Sequence, residues 1–218
     1  MRFELASDPR SGSTRNPQPQ TRNSKPETVI KALIFDCDGT LADTMPLHWR
    51  AWQIVTERHG LHFPEDRFYS LAGVPSRDIL KQLALEQGKS FDPLAVAFEK
   101  EEAFLNHLGD IEPIHAVVEI ARAHHGKLPM AVASGGVQKI ICLILENLNI
   151  RPLFDAVVTS EFVKRQKPAP DIFLEAARRL NVEPRFCRAY EDADLGLEAI
   201  RAAGMEAVDV RVRLDNPR

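Results

Sequence analysis

The stretch "KALIFDCDGTLADT", residues 31–44, sets Asp36 and Asp38 one residue apart directly after an apolar run, with Gly39 and Thr40 behind them. Two carboxylates held that close raise each other's pKa and repel an anionic ligand, so the pairing is unfavourable unless a cation or a proton is shared. The pair asks for a metal. Both side chains can reach one crevice, and a turn through Gly39 supplies backbone amides beside them. A helix cap or Asx turn needs only one Asp. Cys37, between the two, has no basic neighbour to lower its pKa and is read as packing rather than as a nucleophile.

Further along, "VASGG" offers the hydroxyl of Ser134 and the open amides of Gly135 and Gly136 ahead of a helical pattern, a corner that can hold an anion. Taken alone it is also an ordinary turn and cap. In "KRQKPAPD" the prolines Pro168 and Pro170 fix the backbone around Lys167, and Asp171 can cap the helix that follows. Without its neighbours Lys167 is equally a solvated loop lysine. In "YEDADLGLEAIRAAGM", Glu191 and Asp192 stand at the end of another strand pattern, where acidic residues could simply complement a helix dipole. If that strand lies beside the first, Asp192 completes an oxygen-rich pocket with Asp36 and Asp38, a donor set that suits Mg²⁺ with several waters retained.

Those patches need elements to hold them. Five short apolar or β-branched runs, "VIKALIF", "LPMAVAS", "FDAVVTS", "CRAYED" and "MEAVDV", alternate with helical patterns at about 113–125, 137–148, 170–181 and 194–203. Near-continuous apolar strands separated by helix-length crossovers predict an α/β fold with a doubly wound, parallel, five-stranded sheet covered on both faces. One interval is too long, because the first strand ends at Asp36 and the second begins near Pro129, whereas a βαβ unit needs only about 30 residues. Helical patterns in "PLHWRAWQIVTERHG", "SRDILKQLALEQG" and "DPLAVAFEKEEAFLNHL" fill it, predicting an inserted helical cap domain. The expected division is a tail at 1–27, a core at 28–45 and 112–218, and a cap at 46–111. A cap leaving the first strand's carboxyl end would roof the crevice where open α/β sheets bind ligands.

The chain has 218 residues, 44% of them hydrophobic, enough for one sizeable core and a smaller satellite. A net charge of −3 and a pI near 6.2 give no electrostatic footprint for nucleic acid or an anionic membrane, so a small molecule is the expected partner. Cys37, Cys142 and Cys187 are scattered without a C-x-x-C pair, which suits a reducing cytosol. No apolar run approaches the roughly 20 residues of a membrane-spanning helix, and no secretory signal is evident. Residues 6–27 are rich in Pro, Ser, Asn, Gln and Arg and are expected to be disordered. His124 and His125 are read as loop residues and, lacking acidic or cysteine neighbours, as poor zinc ligands.

The four chemical patches, in this order after successive strands, resemble the haloacid dehalogenase superfamily of phosphohydrolases, specifically members with a helical cap after the first motif and a Rossmann-like core. "EDADLGLEAIRAAGMEAVDVR" and "KPAPDIFLEAARRL" look closest to sugar-phosphate phosphatases of the fructose-1-phosphate phosphatase type, near relatives of β-phosphoglucomutases. The resemblance spans about residues 29–212. It implies a Mg²⁺-dependent phosphatase of a small sugar phosphate acting through an aspartyl phosphate, cytoplasmic and expected to be monomeric. Asp36 would be the nucleophile and Asp38 the general acid and base. Thr40, Ser134 and Gly135 would bind the phosphoryl group and Lys167 would neutralise charge. Asp36, Asp192 and Asp38, the last through its backbone carbonyl, would hold Mg²⁺. His48 and Lys100 match substrate-facing cap positions, while from the residues alone His48 is equally a helix-face histidine packed beside Trp52 and Lys100 a solvated lysine in a charged run. Ala193 replaces the family's usual Ser, "EPIHA" with Ile114 and His115 replaces a Pro-Gly pair, and Arg77 lies near a substrate-contacting arginine of related mutases. A mutase would keep the same residues and return the phosphoryl group to a second hydroxyl. A dehalogenase would lack Asp38, a phosphonatase would need a lysine such as Lys100 as Schiff-base nucleophile, and a non-catalytic phosphate-binding module would be expected to have lost Asp36 or Asp38.

Overall fold

A strand buried on both faces has no room for polar side chains, and the first two strand patterns meet that condition: every residue of β1 (Ala32–Phe35) and β2 (Met130–Ser134) is buried. The structure, a computed structural model, describes Met1 and residues 29–214. The expected tail thus lies, apart from Met1, outside the described residues. With β3 (Ala156–Thr159), β4 (Cys187–Glu191) and β5 (Glu206–Asp209) these strands form one parallel sheet in the order β3-β2-β1-β4-β5. Leu33 pairs with Met130 on one side and with Arg188 on the other.

Side chains alternate across the sheet. Leu33, Phe35, Met130, Val132 and Val157 join the core formed with α5 (His115–His124) and α6 (Gln138–Asn147). Ala32, Ile34, Ala131, Ala133 and Ala189 face the other way, toward α7 (Asp171–Arg179) and α8 (Asp194–Ala202). The alanines on that face let α7 settle close through Phe173, Ala176 and Ala177. The chain runs outward from β1 through β2 to β3 and then returns to β4 on β1's other side. Right-handed crossovers therefore put the later helices on the opposite face. That reversal opens a crevice at the carboxyl ends of β1 and β4, the place where the paired aspartates leave the sheet.

Between β1 and α5 the chain builds α1 (Met45–Arg58), α2 (Glu65–Ser70), α3 (Ser76–Glu86) and α4 (Pro93–Leu105), the inserted helical unit expected from the long interval. They pack on a hydrophobic cluster distinct from the two that cover the sheet, around Trp52, Val55, Phe63, Leu80, Leu83 and Val96. The six residues of α2 follow Pro64 and are too few to show a helical period; burial of Phe68 accounts for them better than sequence pattern does. A short terminal α9 (Val210–Leu214) was likewise not foreseen, and His124, expected in a loop, closes the last turn of α5 with its Nδ1 2.8 Å from the Ile120 carbonyl. Among the described residues no helix is long and apolar enough to cross a membrane, and Cys37, Cys142 and Cys187 are all free.

A separate cluster under the inserted helices predicts separate local stability. Leu83→Ala, at a fully buried position, should cost about 2–5 kcal/mol within that unit. Hydrogen exchange should then quicken in α1, α3 and α4 while β1, β2 and β4 keep their protection. A uniform loss across the sheet would show one cooperative unit instead.

Candidate active site

The end of β1 delivers Asp36 to the crevice, its amide still bonded to the Tyr190 carbonyl of β4 (3.0 Å), so the side chain is set by the sheet itself. The chain then turns at Gly39, whose φ of +86° favours glycine. A side chain there would also collide with the Asp192 carboxylate. The missing Cβ is what lets strands β1 and β4 bring their acidic ends together.

Lys167 reaches in from the segment before α7 and places its Nζ 2.6 Å from Asp36 Oδ1 and 2.6 Å from Glu191 Oε2. Its side chain is 1% exposed. Glu191 is aimed by its other oxygen, which accepts the amides of Asp192 (3.2 Å) and Ala193 (3.0 Å). Asp36, Glu191 and Asp192 each offer an oxygen within 4.8 Å of the others. Burial would lower the Lys167 pKa, but Asp36 and Glu191 outweigh it and keep the ammonium charged. One ammonium does not balance three carboxylates. Burial, with Glu191 close behind, pushes Asp36 well above the usual carboxylate range and Asp192 up to about 7. An all-oxygen set with excess negative charge fits a hard divalent cation such as Mg²⁺.

The sequence placed Asp38 with Asp36 and Asp192, but its carboxylate turns away from that cluster, and Glu191 stands there instead. Asp38 Oδ1 accepts the Thr44 hydroxyl (2.7 Å) and lies 3.2 Å from His48 Nε2, while Oδ2 accepts Ser134 Oγ (3.3 Å). Burial opposes the charge on Asp38, yet His48, Thr44 and the Lys100 charge prevail and hold its pKa down to about 2. Behind it, Lys100 Nζ sits 2.8 Å from His48 Nδ1 and 3.1 Å from Glu101 Oε1, and the His48 ring stacks on Phe104. Core and inserted helices thus share one polar chain, Asp38–His48–Lys100–Glu101.

Thr40, expected to bind phosphoryl oxygen, is fully buried and gives its hydroxyl to Asp192 (2.7 Å), which makes it a positioning residue in this arrangement. Ser134 accepts the Gly136 amide (3.0 Å), and Gly135 comes so close to the Gly73 carbonyl that any side chain would collide with it. Asp36, Asp38, His48, Lys100, Ser134 and Gly135 all line one cavity of about 280 Å³ between the sheet ends and the inserted helices. Arg77 lines it too, 56% exposed, whereas Lys167 and Asp192 stand behind its wall. Ala193 also borders the cavity and contributes its amide to Glu191; Ile114 donates its amide to the Leu41 carbonyl, and His115 begins α5. Glu191 and Glu101 are the residues that sequence reasoning left out. Glu191 was visible as the neighbour of Asp192, but pairing with Lys167 depends on a contact 24 residues away.

These features can be set against known proteins. The family model described as haloacid dehalogenase-like hydrolase matches residues 30–204. Fructose-1-phosphate phosphatase YqaB of Escherichia coli is 44% identical over 83% of this chain and 96% of its own length. The β-phosphoglucomutase of Bacillus subtilis is 31% identical over 83% of each chain. The solved structure of a β-phosphoglucomutase from Clostridium difficile superposes with a TM-score of 0.73 at 28% identity, covering 83% of this chain and 84% of the other. Sheet order, inserted helices, the acidic strand ends and these likenesses agree, and the chain belongs to the haloacid dehalogenase-like hydrolases.

Proposed function

We propose that the protein is a Mg²⁺-dependent phosphatase of a small sugar monophosphate, working through an aspartyl phosphate on Asp36. The observation that carries this reading is the state of the Asp36 carboxylate: Oδ1 is tied to Lys167, and Oδ2 has no hydrogen-bond donor among the described residues, at the floor of the cavity. Identity of 44% to a fructose-1-phosphate phosphatase supports the substrate class.

Asp36 Oδ2 attacks phosphorus, the bond from phosphorus to the sugar oxygen breaks, and the leaving oxygen takes a proton from Asp38. Water then attacks the phosphorus of the aspartyl phosphate, gives its proton to Asp38, and releases phosphate with the Asp36 carboxylate restored. Asp36, Glu191 and Asp192 would hold Mg²⁺, joined by the Asp38 backbone carbonyl. Bound there, the ion supplies cancellation of the negative charge that otherwise keeps phosphate and carboxylate apart. Lys167 performs the same service from inside the protein. Asp38 must begin as an acid although its surroundings favour the carboxylate; an arriving phosphate dianion opposes that charge and moves its pKa upward, the direction the step requires. Ser134 and the open backbone of Gly135 border the phosphoryl position. Residues 46–111 act as a cap that excludes bulk water. We also propose a monomer working in the cytoplasm. A β-phosphoglucomutase-type transfer would use the same residues, and the 31% identical mutase is the likeness that favours it.

Metal removal should abolish hydrolysis of sugar monophosphates, and Mg²⁺ should restore it; full activity in rigorously metal-free protein would count against the mechanism. Ca²⁺ should inhibit, since its looser coordination misplaces the attacking oxygen. Glu191→Gln should raise the Mg²⁺ concentration for half-maximal activity about 10- to 100-fold, read from a metal titration of rate. For the two aspartates, Asp36→Asn should form no phosphoenzyme. Asp38→Asn should lose about a hundredfold to ten-thousandfold with sugar phosphates and recover part of the first step with an aryl phosphate, which leaves without a proton. Acid quench and mass spectrometry locate the phosphate. Label on a residue other than Asp36, or equal rescue of both variants, would reverse the roles.

A further inference from the structure

The inserted helices give the cavity an apolar lining interrupted by a few polar groups, and nearly all of these are spent on one another. His48 is held between Asp38 and Lys100, and Lys100 between His48 and Glu101. Ser76 gives its hydroxyl to Glu101 (2.9 Å), and Arg77 pairs with Asp78 (3.2 Å). Glu101 is the exception. Both of its donors bind Oε1, leaving Oε2 without a hydrogen bond among the described residues. Among the described residues no buried side-chain oxygen is left unsatisfied, so Oε2 is not sealed off, and Glu101 lines the cavity. Burial works against its charge, but Lys100, His48 and Ser76 hold its pKa below the usual value, and the group is a carboxylate at neutral pH.

Building on the sugar-phosphatase reading, we infer that Glu101 is the residue that selects the sugar: Oε2 accepts a hydrogen bond from a hydroxyl of the bound monophosphate, and its charge disfavours a second phosphate. Ser76 and Lys100 fix the group in place through Oε1, so what Oε2 lacks is a donor, and a sugar hydroxyl supplies one. Hydroxyl to carboxylate is among the stronger hydrogen bonds available to a polyol.

The same wall bears on phosphatase against mutase. A mutase returns the phosphoryl group to a sugar that still carries its first phosphate, so its cavity must hold a bisphosphate. Here the exposed cation on the wall is Arg77, already paired with Asp78, and the carboxylates of Glu101 and Glu161 line the same cavity. Glu161 moreover occupies the start of α6, accepting the Gln138 amide at 2.6 Å. That helix end is closed to a second anion.

The test is a cycle between enzyme and substrate. Wild type and Glu101→Gln are assayed with the best sugar monophosphate, with its monodeoxy analogues, and with the bisphosphate of the same sugar. In wild type, one deoxy analogue should lose about 10- to 100-fold in kcat/KM, the worth of a hydrogen bond to a charged group. Glu101→Gln should lose on the parent sugar phosphate and discriminate that analogue at most about threefold, because the discriminating acceptor is weakened. Its preference for monophosphate over bisphosphate should narrow about tenfold. Glu101→Asp retains the charge but withdraws the oxygen, so it should lose the deoxy discrimination and keep the bisphosphate exclusion. Because parent and analogue share the same scissile bond, any disturbance of Asp38 through Lys100 cancels in the ratio. Undiminished deoxy discrimination in Glu101→Gln, or a wild type indifferent to every hydroxyl, overturns the inference and leaves the phosphatase reading intact. A wild type that hydrolyses no sugar monophosphate overturns both.

Discussion

The ammonium of Lys167, sealed between Asp36 and Glu191, is the constraint to which the rest of the centre answers. A buried charge is tolerable only when it is paired and hydrogen-bonded, and removing one partner leaves the other stranded. Lys167 fixes which oxygen of Asp36 is occupied and which is left without a donor among the described residues. Glu191 can serve Lys167 because two backbone amides hold its other oxygen. The sheet supplies the geometry by placing β1 beside β4, and the glycine after Asp38 removes the one atom that would keep their ends apart.

A second network, through Asp38, His48, Lys100 and Glu101, belongs to both the sheet and the inserted helices. His48 comes from α1 and Lys100 from α4, and Phe104 of α4 supports the imidazole ring. The setting of Asp38 is therefore not a property of the sheet ends alone. The inserted helices also set the hydrogen bonds that hold it as a carboxylate.

Much of this was legible in the sequence for a particular reason. Asp36, Ser134, Lys167 and Asp192 each follow a strand or precede a helix, so local pattern fixes their position in the fold, and the strand order does the rest. Four of the five strands were read with starts one to three residues early, because flanking apolar residues such as Ile30 and Leu128 pack on the core without joining the ladder, whereas β4 begins at Cys187 as the pattern does. What pattern could not give was pairing between side chains far apart in the chain. Thr40 was expected at the phosphoryl group and binds Asp192, 152 residues away. Glu101 carries no signal of its own within the charged stretch "EKEE", and only the fold of α4 against α1 sets it at the cavity.

The close approach of Gly73 and Gly135 governs how the inserted helices seat on the sheet ends. The loop carrying Gly73 rests against the backbone beside Ser134, and a side chain on Gly73 would press on the stem of Lys167 (3.3 Å). One seam thus touches both the corner that carries Ser134 and the stem of Lys167. Bulk added at either glycine would wedge that seam ajar, so the fit of the inserted helices over the sheet ends rests on two positions that carry no side chain.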